Sequence, residues 1–182
     1  MQRSLFCCLV IVLAACNSNP PAQTESMKSG TDSMAMMIHS PYPVSYSSQF
    51  AIDSPKYAET VLQLWKDYDN GNLSAHKDLL ADTLEFHFSD GGVMKGGRDS
   101  MIAIVQRARD SFGKVVDRVD AVMAVKSTDK GEHWALIWGI ETDTDKKGKV
   151  DSVNLQETWR LNKDGKADLV FQYRQLAAPP KK

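Results

Sequence analysis

The sequence predicts an α+β fold in which helices precede an antiparallel sheet. In the first half of the domain, apolar residues recur at the 3.6-residue spacing of amphipathic helices. In the second half, β-rich runs alternate with short, turn-like segments. Proline is absent between Lys56 and Ala178, which leaves about 120 residues of uninterrupted secondary structure, enough for one hydrophobic core. These three observations together predict a single α+β domain.

Three helices are predicted ahead of the sheet. Ser54 and Pro55 form a typical helix start, with serine as the N-cap and proline at the first helical position. Asn70-Gly71 is a typical helix end. The elements predicted in this half are helices over 55–69, 74–80 and 98–112, and strands over 83–89 and 93–95.

The second half is predicted to form a curved meander of four strands. Its connections, such as the segment from Asn162 to Gly165, are short and rich in Asp, Asn, Lys and Gly, which is typical of tight turns. Short connections join antiparallel neighbours, so we expect an antiparallel sheet of about five or six strands in all. The four strands are predicted over 115–125, 133–142, 150–161 and 167–175.

The first 15 residues have the features of an export signal. One arginine is followed by an apolar stretch from Leu5 to Leu13, and Ala14-Ala15 precedes Cys16. The stretch is too short to span a bilayer, which needs about 20 residues. The ending "LAAC" resembles the lipobox of bacterial lipoproteins, which implies cleavage before Cys16, acylation of its sulfur and a membrane anchor in the cell envelope. Asn17 favours the outer membrane. The alternative is a buried apolar segment that begins the fold.

Residues 16–50 are predicted to be a disordered tether that carries the lipidated Cys16. The segment is rich in Ser, Thr, Asn, Gln and Pro, and such a composition buries too little apolar surface to offset its ordering entropy. The folded domain is predicted over 51–178, with a short tail over 179–182. The tether also holds soft donors that suit Cu(I), although they are equally consistent with an ordinary linker. These donors are Met27, Met34, Met36, Met37 and His39.

Composition excludes several function classes. A formal charge of −1 argues against a nucleic-acid binder, which normally carries a basic excess. All three cysteines lie in the first 16 positions, so the domain has no disulfide framework and no cysteine nucleophile. The histidines lack zinc-site spacing, and the Asp-rich turns lack a complete calcium-loop ligand series. We therefore predict no metal site and no cofactor in the domain.

Strand alternation singles out one candidate for acid/base chemistry. Along 152–161, one face is apolar except for Glu157, so its carboxylate is expected to be partly desolvated and its pKa raised. Raised carboxyl pKa values are typical of general acids and bases. His87, between two phenylalanines on a predicted strand, is a possible proton shuttle. The alternatives are an exposed or arginine-paired Glu157 and a structural His87.

Aromatic residues are the candidates for a ligand pocket, since pockets are commonly apolar with a few placed polar groups. The alternative is that they simply fill the core. The candidate pocket residues are Trp65, Tyr68, Trp138, Trp159, Phe171 and Tyr173.

The segment "LWKDYDNGNLSAHKDLLADTLEFHF", then "GGVMKGGRDSM", long strands and an "NKDGK" turn resemble the SnoaL-like branch of the nuclear transport factor 2-like superfamily. The resemblance covers roughly residues 54–175. It implies a cone-shaped sheet, wrapped around a pocket that the helices close, and dimers packed through the sheet. The superfamily includes cyclases, isomerases, dehydratases, epoxide hydrolases and binding domains, so the fold alone does not assign an activity.

Three functions follow as hypotheses. The first is a membrane-anchored envelope lipoprotein whose domain is a non-catalytic module, binding a small apolar or amphiphilic ligand or a partner. The second is an acid/base enzyme of isomerase, cyclase or dehydratase type that uses Glu157 and His87 in the cone pocket. The third is a purely structural dimer module.

Overall fold

The computed structural model of the chain describes residues 36–38 and 40–176. The predicted signal peptide, Cys16 with its lipidation, and most of the tether lie outside the described residues, as does the tail. Of the proposed copper donors, Met27, Met34 and His39 also lie outside, while Met36 and Met37 belong to a short strand. No helix in the described part of the chain is both long and apolar enough to cross a membrane.

The domain contains two α-helices, α1 (Pro55–Asp69) and α2 (Arg98–Arg109). Both begin within a residue of the predicted positions, and Pro55 occupies the first turn of α1. The helix predicted over 74–80 is wrong: only a 3₁₀ turn forms, over Lys77–Leu79. The segment is too short to repay the cost of helix nucleation, and Leu80 already has extended backbone angles because it begins a strand.

The described residues form one curved sheet of eight strands, two more than the upper prediction. All six predicted strands are present, and two short strands precede them. In chain order the strands are β1 (Met36–Met37), β2 (Gln49–Ile52), β3 (Leu80–His87), β4 (Val93–Gly97), β5 (Phe112–Ser127), β6 (Glu132–Asp145), β7 (Val150–Leu161) and β8 (Ala167–Leu176). Strand β2 spans residue 51, where the domain is predicted to begin, and pairs with β5.

The order across the sheet is β1-β2-β5-β6-β7-β8-β3-β4. Strands β5 to β8 form the predicted antiparallel meander. The prediction of a wholly antiparallel sheet is wrong, because β3 pairs with β8 in parallel. Parallel neighbours need a long connection instead of a hairpin, and α2 with the whole meander separates these two strands along the chain. The sheet is therefore mixed.

Glycine at position 139 lets α1 approach the concave, inner face of the sheet. A Cβ atom there would lie 2.5 Å from the carbonyl oxygen of Arg118 and 3.0 Å from the ring of Trp65. Strand β5 is also irregular here, with a register shift between Val119 and Ala121. Such bulges bend a strand and increase its twist. The missing side chain and the bulge together make room for the Trp65 indole against β6.

The hydrophobic core lies between α1, α2 and the inner face of the sheet. Helix α1 buries Tyr57, Val61, Leu64 and Trp65 in this core. On β7 the predicted alternation is confirmed, because its inner-face residues are all buried: Val153, Leu155, Glu157, Trp159 and Leu161. A carboxylate therefore lies within an otherwise apolar core face.

Candidate functional site

A cavity of about 480 Å³ lies between the two helices and the inner face of the sheet. Its opening is marked by the exposed residues Ile104, Ala108 and Ser111. The volume is within the range of small-molecule sites, roughly 300–1,000 Å³. Apolar side chains form most of the wall, among them Leu84, Phe86, Met94, Ile102, Val105 and Phe112.

Glu157 lines this cavity and is only 4% exposed. Its Oε2 atom accepts hydrogen bonds from Trp65 Nε1 at 2.7 Å and Trp159 Nε1 at 2.8 Å. Its Oε1 atom accepts a third, from Gln172 Nε2 at 2.8 Å. Burial raises the pKa of Glu157 above its ordinary value, and the three donors oppose this shift because they stabilise the carboxylate. The arrangement fixes the carboxylate and both indole rings in one orientation.

A pair of carboxylates on neighbouring strands faces the same cavity as Glu157. Asp117 on β5 and Glu141 on β6 are direct cross-strand partners, and both line the cavity. Side chains of such partners have Cβ atoms about 4.5–5.5 Å apart, and like charges at that spacing destabilise a sheet. Burial and the surrounding carboxylates raise the pKa of Asp117 to about 8 and that of Glu141 to about 7. Near neutral pH the pair therefore retains a proton.

The pair is short of hydrogen-bond donors. The Oδ1 atom of Asp117 is buried and has no partner among the described residues. Glu141 is 8% exposed, and its one side-chain hydrogen bond in the described structure comes from Arg174 Nη2, 3.5 Å from Oε1. Asp143 lies two residues further along the same face of β6, is also 8% exposed, and its Oδ1 atom likewise has no partner in the described part of the chain.

Arg109 binds the C-terminal end of α1 near these carboxylates. The Arg109 side chain donates from Nε to the carbonyl oxygen of Tyr68 and from Nη2 to that of Asp69, both at 2.8 Å. A buried cation at the C-terminal end of a helix satisfies its free carbonyl groups and interacts favourably with its dipole. Asp69 Oδ1 in turn accepts the backbone N–H of Asp117 at 2.8 Å. Burial and the nearby carboxylates raise the pKa of Tyr68, so its hydroxyl stays protonated.

A His–Asp pair lies at another part of the cavity wall. Asp67 lines the cavity, is nearly fully buried, and both of its carboxylate oxygens lie 3.0 Å from Nδ1 of His76. Gln63 also donates to Asp67 Oδ1, at 3.0 Å. The histidine itself is not among the cavity-lining residues. This carboxylate is therefore already well supplied with hydrogen-bond partners, unlike Asp117.

The structure divides the predicted site residues between the two faces of the sheet. Glu157, Trp65, Tyr68 and Trp159 line the cavity. The other four lie on the outer face: His87, Trp138, Phe171 and Tyr173. The cavity is consequently not filled by Trp138 or Phe171.

His87 and Glu157 do not share a pocket. The His87 ring packs against the Phe171 ring at a tilt of 32°, with ring centroids 4.7 Å apart. Its Nε2 atom lies 2.7 Å from Glu85 Oε1. Phe171 pairs with Thr158, whose side chain points away from Glu157. Parallel pairing of β3 beside β8 fixes this orientation. The two residues are therefore not brought together as the acid/base hypothesis requires.

Sequence alternation could also have found Asp117 and Glu141. Along β6 the inner face carries Ala135, Ile137 and Gly139 before Glu141, which is the same pattern that singled out Glu157. Asp117 likewise alternates with Val115 on an inward-facing stretch of β5. Their cross-strand pairing depends on register and was not predicted. In the described part of the chain, no group of three or more His, Cys, Asp or Glu residues has a geometry that could hold a metal ion.

No protein-family model and no curated protein matches the sequence. Solved structures with a similar fold do exist. An NTF2-like protein of unknown function from Exiguobacterium sp. 255-15 has 15% identity and a TM-score of 0.53, covering 64% of this chain and 98% of that one. The epoxide hydrolase/cyclase-like enzyme SalBIII, with a role in pyran ring formation in salinomycin, has 15% identity and a TM-score of 0.56, covering 68% of this chain and 93% of that one.

A third similar structure is IdmH, a putative polyketide cyclase from Streptomyces antibioticus. It has 12% identity and a TM-score of 0.53, with coverage of 66% of this chain and 92% of that chain. At such identities the likeness concerns the fold alone, and these proteins share it whether or not an activity is assigned to them. The described domain therefore has the NTF2-like fold.

Proposed function

We propose that this protein is a bacterial envelope lipoprotein whose NTF2-like domain binds a small, largely apolar molecule. The observation that carries the proposal is the 480 Å³ cavity, with apolar walls and polar groups concentrated in a few places. The anchor is acylated Cys16, supported by the "LAAC" sequence after a short apolar stretch. A polar tether then joins the anchor, in the outer membrane, to the domain.

The main proposal is a non-catalytic binding module. Its support is that His87 and Glu157 lie on opposite faces, and that both oxygens of Glu157 are already occupied by Trp65, Trp159 and Gln172. A carboxylate held by three donors orders the cavity wall and leaves little freedom for proton transfer. The proposal also includes a homodimer through the sheet, supported by the exposed outer-face residues Trp138 (36%) and Tyr173 (55%).

An acid/base enzyme is the second candidate, and the Asp117–Glu141 pair favours it. Two carboxyl groups that share a proton near neutral pH can supply a general acid and a general base from one site. Similar folds include an epoxide hydrolase/cyclase-like enzyme and a putative polyketide cyclase. In this case the substrate is a carbonyl, hydroxyl or epoxide compound, and the working pair is Asp117 and Glu141 instead of Glu157 and His87.

Native mass spectrometry of the mature protein extracted from membranes tests the main proposal. We expect acyl chains on Cys16, a dimer, and a retained small molecule. The matched variant is Cys16→Ser, which should be found in the soluble fraction with its domain folded. A Cys16 without acyl chains would refute the anchor. A protein that retains no molecule and binds none in a screen of apolar compounds would refute the ligand-binding role.

A further inference from the structure

We propose that the molecule bound in the cavity is a cationic amphiphile, with an apolar body along the wall and an ammonium group between Asp117 and Glu141. The inference rests on the proposed ligand-binding function and adds the chemical class of the ligand. It follows from the distribution of unpaired carboxylate oxygens, from the charge of the cavity and from its apolar walls.

The carboxylate pair lacks the donors that its burial requires. Buried polar atoms nearly always have a hydrogen-bond partner, and one left without a partner carries a desolvation cost. Within the described structure, neither Asp117 Oδ1 nor Asp143 Oδ1 has one, although both are buried atoms. Glu141, the cross-strand partner of Asp117, accepts a single side-chain hydrogen bond in the described structure, from Arg174 Nη2 at 3.5 Å. At this place in the cavity, Asp117 Oδ1 thus has no donor and Glu141 has one distant donor, while Asp143 lies on the same strand face but is not among the lining residues.

Among the four carboxylates that line the cavity in the described structure, only Asp117 and Glu141 are short of donors. Glu157 receives three N–H donors, and Asp67 is bonded to His76 and Gln63. The other two carboxylates of the cavity wall therefore have the donors that Asp117 and Glu141 lack. Asp117 and Glu141 also face each other directly, where like charges repel. Such a pair is expected where a ligand supplies the missing positive charge and donors.

A cation fits the cavity better than a neutral or anionic group. Four carboxylates and one guanidinium, that of Arg174, are among the described residues that line it, so an anionic head group would meet a net negative wall. A hydroxyl group offers one donor, whereas an ammonium group offers up to three together with a positive charge. Arg174 is partly exposed, and its one contact with Glu141, at 3.5 Å, does not supply the donors that the pair lacks.

The walls account for the apolar part of the ligand. Side chains such as Phe86, Met94 and Ile102 give the cavity an apolar surface on β3, β4 and α2, whereas the carboxylate pair lies on β5 and β6. The aromatic ring of Tyr68 also lines the cavity, and aromatic faces attract cations. An alkyl or aryl chain with one ammonium group would satisfy both regions at once.

Isothermal titration calorimetry with three matched probes tests the inference: n-octylammonium, n-octanol and n-octanoate. The protein is the mature chain from residue 16 with Cys16→Ser, so that no detergent competes for the probes. We expect n-octylammonium to bind roughly tenfold to a hundredfold more tightly than n-octanol. The anionic n-octanoate should bind most weakly of the three.

Asp117→Asn and Glu141→Gln should each remove most of the preference for the ammonium probe while n-octanol affinity stays within about twofold. Asp120→Asn is the matched control, because Asp120 is an exposed carboxylate on the same strand that pairs with Arg118. It should leave the preference unchanged. Circular dichroism checks that each variant is folded, and the comparison of probes on the unaltered domain stands even where a variant does not fold.

Equal binding of n-octanol and n-octylammonium would overturn the cationic class and leave the proposed function intact. Tighter binding of n-octanoate would do the same. If none of the three probes binds and membrane-extracted protein retains no molecule, the proposed function itself fails and the inference fails with it. Persistence of the ammonium preference in both variants would refute the assignment to Asp117 and Glu141.

Discussion

Replacing Glu157 with leucine should destabilise the domain by about 3 kcal/mol. The change leaves the indole N–H groups of Trp65 and Trp159 without their acceptor in the core, and each unsatisfied buried donor costs about 1–3 kcal/mol. Two such donors give a cost of about 2–6 kcal/mol. Removing a buried carboxylate offsets part of that cost, since burial disfavours its charge. Gln172 is half-buried in the cavity wall, where water can replace its lost hydrogen bond, so this loss is not added to the cost.

Glu157→Gln should cost less than about 1 kcal/mol. Its carbonyl oxygen can accept both indole N–H groups, and its amide group can donate to Gln172 once that amide is flipped. Urea unfolding followed by circular dichroism measures both variants, with an unchanged m-value as the sign that only stability has changed. Glu59→Leu is the control, because Glu59 is an exposed carboxylate on α1.

Wild-type stability in Glu157→Leu would show that the three hydrogen bonds make no net contribution, and the account of the cavity wall would then be wrong. A loss in Glu157→Gln equal to that in Glu157→Leu would show instead that the negative charge matters. Because only the carbonyl acceptor is retained in the glutamine variant, the two substitutions separate these causes.

Three further outcomes are expected. The free energy of unfolding should fall as pH rises from about 5 to about 8, because the raised pKa values of Asp117 and Glu141 make the folded protein bind more protons than the unfolded chain. In the double variant Asp117→Asn/Glu141→Gln, urea unfolding should show a weaker dependence of stability on pH. An unchanged dependence in that variant would contradict this cause. Gly139→Ala should cost about 1–3 kcal/mol by overpacking against the Arg118 carbonyl oxygen and Trp65. Gly97→Ala has open space around its Cβ but lies at the N-cap of α2, so it should cost less than about 1 kcal/mol in the same assay. Trp138→Arg should lower the dimer fraction in analytical ultracentrifugation while probe affinity stays unchanged, and a persistent dimer would place the interface elsewhere.

Regular alternation made part of the site predictable. Strand β7 has no bulge between Val153 and Arg160, so every second residue faces inward and Glu157 could be placed in the core from its neighbours alone. The same alternation places Trp159 and Trp138 on opposite faces of the sheet, but only once the inner face of each strand is known. The spacing of residues in the sequence shows that side chains alternate between two faces, but it does not show which face is buried.

Register across strands was the part that could not be predicted. The facing of Asp117 and Glu141 depends on how β5 pairs with β6, and the bulge after Val119 changes the alternation further along β5. Strand alternation alone likewise cannot show whether His87 shares a pocket with Glu157. Its true orientation follows from the parallel pairing of β3 with β8, a contact between segments distant in sequence. Local patterns carry no information about such contacts.

That parallel pairing also has a consequence for the order of folding. Strand β3 has β4 as its neighbour on one side, but Leu80 pairs with Ala167 on the other, so the β3–β4 hairpin joins the rest of the sheet only when the last strand of the chain is in place. Contacts of such high sequence separation slow folding, because loop closure precedes any stabilisation from the paired strands. Leu84 and Phe86 on β3 contribute to the cavity wall. A nascent or truncated chain without β8 therefore lacks Gln172 and Arg174 of the cavity wall, and we expect its exposed apolar side chains to make it prone to aggregation.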